Sequence, residues 1–286
     1  MKRWYSIAAT ALKDIAALGG SPKLKKVALR SCDALKDLKG LGECTQLEYI
    51  NFRSCPALKD ITPLAGCSKL KKIILSGCKA LEDLNTLSHF AELEALDLLG
   101  CAALKYISAL AGAPKLRKIT LGKSKILKDL KSLGECPELE DLFLYGWIAL
   151  KDISALTGCS KLRKVTLIKC HALGNLRGLG KCQELEELEF YNCKALKDIS
   201  ALGGSPKLKK IIFRGCRALE DLKGLGQCQD LEKLDLSGCT ALKDITTLGK
   251  CSKLREIKLP LGRTDLKDQL PVVLHPFVKF RWVYLR

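Results

Sequence analysis

The sequence predicts an α/β solenoid: stacked coils with a parallel β-sheet along one side and short 3₁₀ or turn segments along the other. Three observations carry this prediction. The 286 residues repeat with a period of 23. Each period holds one stretch in which apolar residues alternate, and another in which every third residue is apolar. Hydrophobic residues make up 47% of the chain, too many for disorder, yet no apolar run approaches the ~20 residues of a membrane helix.

Residues 1–10 read as an N-terminal cap half-repeat, since Met1, Trp4 and Ala9 fall where Leu24, Val27 and Cys32 fall one period later. Lys2 and Arg3 followed by Trp4, Ser6, Ile7 and Ala8 could instead be a short targeting segment, but the kept register favours a cap. Eleven 23-residue copies follow, from 11 to 263, without insertion or deletion. Each reads approximately A-L-K-D-I-x-x-L-x-x-C-x-x-L-x-x-L-x-L-x-x-C-x. L-x-L marks a short strand, and L-x-x-[IL]-x-x-L marks a 3₁₀-like turn. One coil cannot bury its own apolar edge, whereas stacked coils can. Residues 264–286 read as a C-terminal cap repeat. There Phe277, Phe280 and Trp282 stand one period after Leu254, Ile257 and Leu259, and Leu266, Leu270 and Leu274 change to four-residue spacing, which predicts a helical turn.

The stretch L-x-x-L-x-L-x-x-C resembles the leucine-rich repeat, whose ninth position is Asn or Cys. Turn segments such as Leu58-Lys59-Asp60-Ile61-Thr62-Pro63-Leu64 look like the short convex side of internalin-type and phosphatase-regulator-type arrays. Paired cysteines in 23-residue units are also reminiscent of trypanosome leucine-rich proteins. The resemblance implies an arc with its sheet on the concave face, and a shared property of binding other molecules there.

Eight cysteines (Cys32, Cys55, Cys78, Cys101, Cys170, Cys193, Cys216 and Cys239) occupy the ninth position of the strand unit. The other seven (Cys44, Cys67, Cys136, Cys159, Cys182, Cys228 and Cys251) occupy the turn before it. An odd total of 15 argues against a disulfide framework, and zinc would need clustered C-x-x-C pairs. Structural thiols donating weakly to the backbone at each bend are expected, and with them a reducing, cytoplasmic location, organelle import being the alternative. His171 beside Cys170 is the one Cys-His neighbour pair and reads as a solvated edge residue. With no G-x-S-x-G, phosphate loop or H-E-x-x-H, a non-enzymatic chain is expected, without cofactor, metal or small-molecule substrate.

The net charge of +18 raises nucleic acid as a partner. However, the second residue of the strand unit alternates Lys25, Glu48, Lys71, Glu94, Arg117, Glu140, Arg163, Glu186, Lys209, Glu232, Arg255. Such residues are cross-strand neighbours, so an ion-pair ladder is expected, and stripes about 5 Å apart largely cancel.

Variation concentrates at the outward strand positions, which a leucine-rich arc would present to a partner. Phe143, Tyr145, Ile168 and Tyr191, with Leu99 two strands away, form a candidate protein-binding patch. Trp147 replaces a ninth-position cysteine and Ser124 another; Trp147 either deforms the bend or swings outward into the patch. Arg3, Tyr5, Arg30, Tyr49 and Arg53 form a candidate polyanion site. The function expected is a protein-interaction scaffold. Alternatives are a structural subunit of an RNA-protein assembly and an engineered consensus-like array; no membrane partner is expected.

Overall fold

The structure is a computed structural model describing residues 3–6 (as backbone), 10–123 and 130–281. Met1, Ala9, Ser124 and Trp282 lie outside the described residues. The chain divides into two compact units, 1–127 with 131–139, and 128–130 with 140–286.

The first unit contains β1 (Arg3–Ser6), β2 (Lys26–Leu29), β3 (Tyr49–Asn51), β4 (Lys72–Ile74), β5 (Ala95–Leu98) and β6 (Lys118–Gly122). The second contains β7 (Asp141–Tyr145), β8 (Lys164–Ile168), β9 (Glu187–Tyr191), β10 (Lys210–Arg214), β11 (Lys233–Asp235), β12 (Glu256–Pro260) and β13 (Val278–Arg281), with one short helix, α1 (Thr264–Lys267). Within each unit every strand pairs in parallel with its chain neighbour. From β1 to β6 and from β7 to β12 the register is one full period, as in Trp4 opposite Val27 or Ile168 opposite Tyr191.

The turn side explains the every-third-residue pattern. Inward residues are themselves linked by successive i→i−3 hydrogen bonds: Leu41 N–H donates to Leu38, Cys44 to Leu41 and Leu47 to Cys44, at 2.9–3.1 Å. Short 3₁₀ segments such as Thr62–Gly66 and Ser200–Gly204 result, each placing one leucine in the core. Their first N–H groups are met by the conserved-in-copy Asp of A-L-K-D: Asp60 accepts from Thr62 N–H at 2.7 Å, Asp198 from Ser200 at 2.9 Å and Asp244 from Thr246 at 2.9 Å.

The thiol ladder is present. Among the described residues all fifteen cysteines are free and buried. Most donate to the carbonyl 26 residues earlier, which is one coil back: Cys67 to Leu41 at 3.1 Å, Cys101 to Leu75 at 3.2 Å, Cys239 to Phe213 at 2.7 Å. Ser205 fills a turn slot the same way, donating to Leu179 at 3.4 Å. Cys170, the first ninth-position thiol after Trp147, instead faces Ile168 of its own coil at 4.0 Å.

At the strand end, the eighth position is left-handed in ten successive copies. Gly77, Gly100, Gly146, Gly215 and Gly238 serve in five, and Ser31, Ser54, Lys123, Lys169 and Asn192 in the rest.

The ion-pair ladder forms in part at the expected position. Lys25 meets Glu48 at 2.9 Å, and Glu186 lies between Arg163 and Lys209. Arg255 departs from it, donating to the Ser252 and Leu254 carbonyls with its guanidinium 5.4 Å from the Phe277 ring centre. The same 23-residue rule adds pairs elsewhere: Lys115–Glu92 at 2.7 Å, Lys207–Glu184 at 2.6 Å, Lys253–Asp230 at 2.6 Å and, on the turn side, Lys105–Glu82 at 2.9 Å. These contacts hold the carboxyls of Glu48, Glu92 and Glu186 below their usual range, chiefly through the hydrogen bond from the basic partner. Glu186→Lys replaces two attractions by a stack of three cations. It is expected to lower the melting temperature by a few degrees at low salt and by less at 1 M salt; an unchanged melting curve would remove the ladder's role in holding register.

The C-terminal cap departs from the expected register. Val278 lies opposite Ile257 and Phe280 opposite Leu259, an offset of 21 residues rather than 23. The cause is the change of spacing. Buried Leu266, Leu270 and Leu274 advance the chain in four-residue steps, through α1 and the 3₁₀ segment Val272–Phe277, and reach the strand two residues sooner. A slip of two preserves the in-out alternation, so the cap still covers the core.

Candidate functional site

Register alone assembles the main candidate. Tyr145, Ile168, Tyr191 and Arg214 are successive cross-strand partners on β7 to β10, and Phe143, Thr166, Glu189 and Ile212 form the row beside them. At strand spacing the first row spans about 14 Å. Phe143, Tyr145, Ile168 and Tyr191 are half-buried against their neighbours, on the sheet face opposite the core.

Charged groups pin this row. Lys169 Nζ lies 5.7 Å from the Tyr145 ring centre, and the Arg214 guanidinium lies 5.8 Å from that of Tyr191. Tyr191 donates its hydroxyl to Glu189 at 3.3 Å, and its pKa is raised, first by burial and then by the Glu189 charge. Arg214 is fixed from its other side by Asp235 at 2.6 Å. Asp235 is 4% exposed, yet its carboxyl stays below the usual range: hydrogen bonds from Ser237 and Arg214 outweigh the opposing effect of desolvation. Lys210 is paired with Glu189. A shallow depression of about 200 Å³ opens beside the row among Lys210, Ile212, Arg214, Asp235 and Lys258.

Two residues expected in the patch are not part of this group. Trp147 is 1% exposed, so the indole is taken inside rather than swung outward, and its Nε1–H has no acceptor among the described residues. Burying a large ring outweighs one unsatisfied donor. Leu99 is 37% exposed but belongs to the first unit, where its side chain covers Gly122.

The polyanion candidate is partly committed to internal contacts. Arg53 donates to Ser76 at 2.9 Å and approaches Asp97 at 3.5 Å, while the Tyr49 hydroxyl accepts from Asn51 at 3.1 Å. Arg30 is exposed. The side chains of Arg3 and Tyr5 lie outside the described residues.

Among the described residues no group of three or more His, Cys, Asp or Glu side chains is placed to hold a metal ion, and no helix is long and apolar enough to cross a membrane.

Two family models match the chain. One is the leucine-rich-repeat domain of endo-beta-N-acetylglucosaminidase EndoS, over residues 9–107; the other is the BspA-type leucine-rich repeat region, over residues 168–259. The chain is a leucine-rich repeat protein. Solved leucine-rich structures share its fold. An internalin, InlF of Listeria monocytogenes, aligns over 94% of this chain and 89% of its own, at 17% identity and a TM-score of 0.59. The functional domain of InlJ from the same organism, described as including a cysteine ladder, aligns over 84% and 59%, at 16% identity and a TM-score of 0.54. The leucine-rich-repeat domain of the type III effector XopL aligns over 92% and 78%, at 21% identity and a TM-score of 0.51. No curated protein matches. Leucine-rich repeat chains are in general interaction modules rather than enzymes.

Proposed function

We propose that this leucine-rich repeat chain is a non-enzymatic scaffold whose partner protein docks on the outer sheet face of β7 to β10. One observation carries the reading: the register gathers Phe143, Tyr145, Ile168 and Tyr191 into a single half-exposed aromatic and aliphatic cluster, with Lys169, Glu189 and Arg214 beside it. Rigid rings held by neighbouring cations are well suited as interface anchors, because little side-chain freedom is lost on binding. Fifteen buried, free thiols suit a reducing compartment, and we place the protein in the cytoplasm.

The test is a tagged pull-down at moderate salt, with and without nuclease, read by mass spectrometry. The expected result is a discrete protein that survives nuclease and is lost when Phe143, Tyr145 and Tyr191 are replaced by Ala, with the far-UV spectrum unchanged. Partners that vanish on nuclease would replace this reading with an RNA-assembly role. Retention by the triple variant would move the site elsewhere.

A further inference from the structure

Many of the cross-coil ion pairs cluster at one end of the strands. The ladders Lys25–Glu48, Lys115–Glu92, Arg163–Glu186 and Lys207–Glu184 all lie just ahead of the strands. The opposite rim is different. In the coils of β7 to β10 the last strand residue and the three after it read Tyr145 to Ile148, Ile168 to His171, Tyr191 to Lys194 and Arg214 to Arg217, with no Asp or Glu among them. Lys169, Lys194, Arg214 and Arg217 stand there beside Tyr145, Ile148, Ile168 and Tyr191. Coil-to-coil stacking persists along the rim, since Lys169 N–H donates to Tyr191 and Asn192 N–H to Arg214, both at 2.8 Å, and Ala195 N–H to His171 at 3.2 Å.

Several details distinguish this rim from a merely solvated edge. Ile148 is 49% exposed, and Lys194 and Arg217 are exposed with no ion-pair partner among the described residues. Lys169 has φ of +58° at a position where half of the left-handed copies use Gly, a conformation disfavoured for a lysine. Its ammonium lies 5.7 Å from the Tyr145 ring centre.

We propose that this rim binds an acidic peptide segment carrying an apolar anchor. The anchor seats on Tyr145, Ile168 and Tyr191, and flanking carboxylates meet Lys169, Lys194 and Arg217. The charge is complementary, and an extended segment of about five residues crosses the row. Single-stranded nucleic acid fits less well: one face of the Tyr145 ring and one of the Tyr191 ring already carry a cation, which reduces the surface open to stacking, and Ile148 and Ile168 offer a base little. The inference rests on the reading of this face as a protein-binding site and names the chemistry of its partner.

The test uses the full chain against a displayed library of random 12-residue peptides. Selected peptides are then measured by fluorescence anisotropy beside a 12-nucleotide oligouridine. Enrichment of Asp and Glu around a Leu, Ile or Phe is expected, with binding weakened at least tenfold by Lys194→Glu with Arg217→Glu, and also by exchanging the peptide's apolar residue for Ser. Both substituted protein positions are exposed, so the melting curve should not change. Enrichment of neutral or basic peptides, indifference to the charge reversals, or tighter oligouridine binding would overturn the inference. So would no enrichment; if the triple alanine variant still loses its captured protein, the scaffold reading stands while the acidic-segment inference falls.

Discussion

Raising the pH from 8 to 10.5 is expected to collapse the melting temperature, far more steeply than for a protein of similar size without buried thiols. Burial pushes the thiols of Cys55, Cys136, Cys182 and Cys251 up to about 11, and those of Cys67, Cys101 and Cys228 to about 12, from a usual value of 9.0. Above pH 9 the unfolded chain has released these protons while the native chain still holds them. The native state then binds more protons, and stability falls as pH rises. The stabilising contribution is fully present below pH 9 and is lost towards pH 11–12. Each thiol contributes a slope of about 1.4 kcal/mol per pH unit, so seven together approach roughly 10 kcal/mol per unit, comparable with the whole stability of a typical domain. Circular-dichroism melts at half-unit intervals would show it. At pH 8 a thiol reagent should label almost nothing until the protein unfolds. A flat profile to pH 10.5, or rapid labelling of native protein, would contradict the ladder of buried donors.

Arg214→Ala is expected to be among the most damaging changes at any charged position. It removes the guanidinium that compensates Asp235, leaving a 4% exposed carboxylate supported by Ser237 alone. Removing a charged donor from such a half-exposed pair costs about 1.5–3 kcal/mol, less what solvent recovers for the carboxylate. The Asp235 pKa should rise as the pair is lost, so the penalty should shrink when the pH is lowered enough to protonate it. Arg214→Ala with Asp235→Asn should recover much of the loss, since the amide needs no counter-charge. Equal melting temperatures for Arg214→Ala and the wild type would show that the pair is solvated rather than structural.

The 23-residue period was enough to read the strands, their parallel register, the thiol ladder and the adjacency of Tyr145, Ile168 and Tyr191, because in a stack position in the period is position in space. What was missed arose where one residue departs from its column. Whether Trp147 turns in or out depends on how far a bend can deform, which no spacing encodes. The four-residue steps of Leu266, Leu270 and Leu274 were visible, but counted forward they also give the two-residue shift of β13, and that consequence went unread. Glycines at 77, 100, 146, 215 and 238 marked the left-handed column, and the Asp of A-L-K-D marked the turn caps; both signals stood in the sequence. The alternation of sign from copy to copy hides the rim around Lys194 and Arg217, because that rim follows columns of the period rather than copies.

Because the second residue of the strand unit alternates in sign from copy to copy, the array has a preferred increment of growth. Excising one copy, 172–194, would bring Arg163 against Lys209, cation on cation. Excising two, 172–217, would bring Arg163 against Glu232 and restore the attraction. Chain length can therefore change with little electrostatic disturbance in quanta of 46 residues. An odd number of added or lost copies leaves one frustrated seam, a fault line at which the array would be expected to part first.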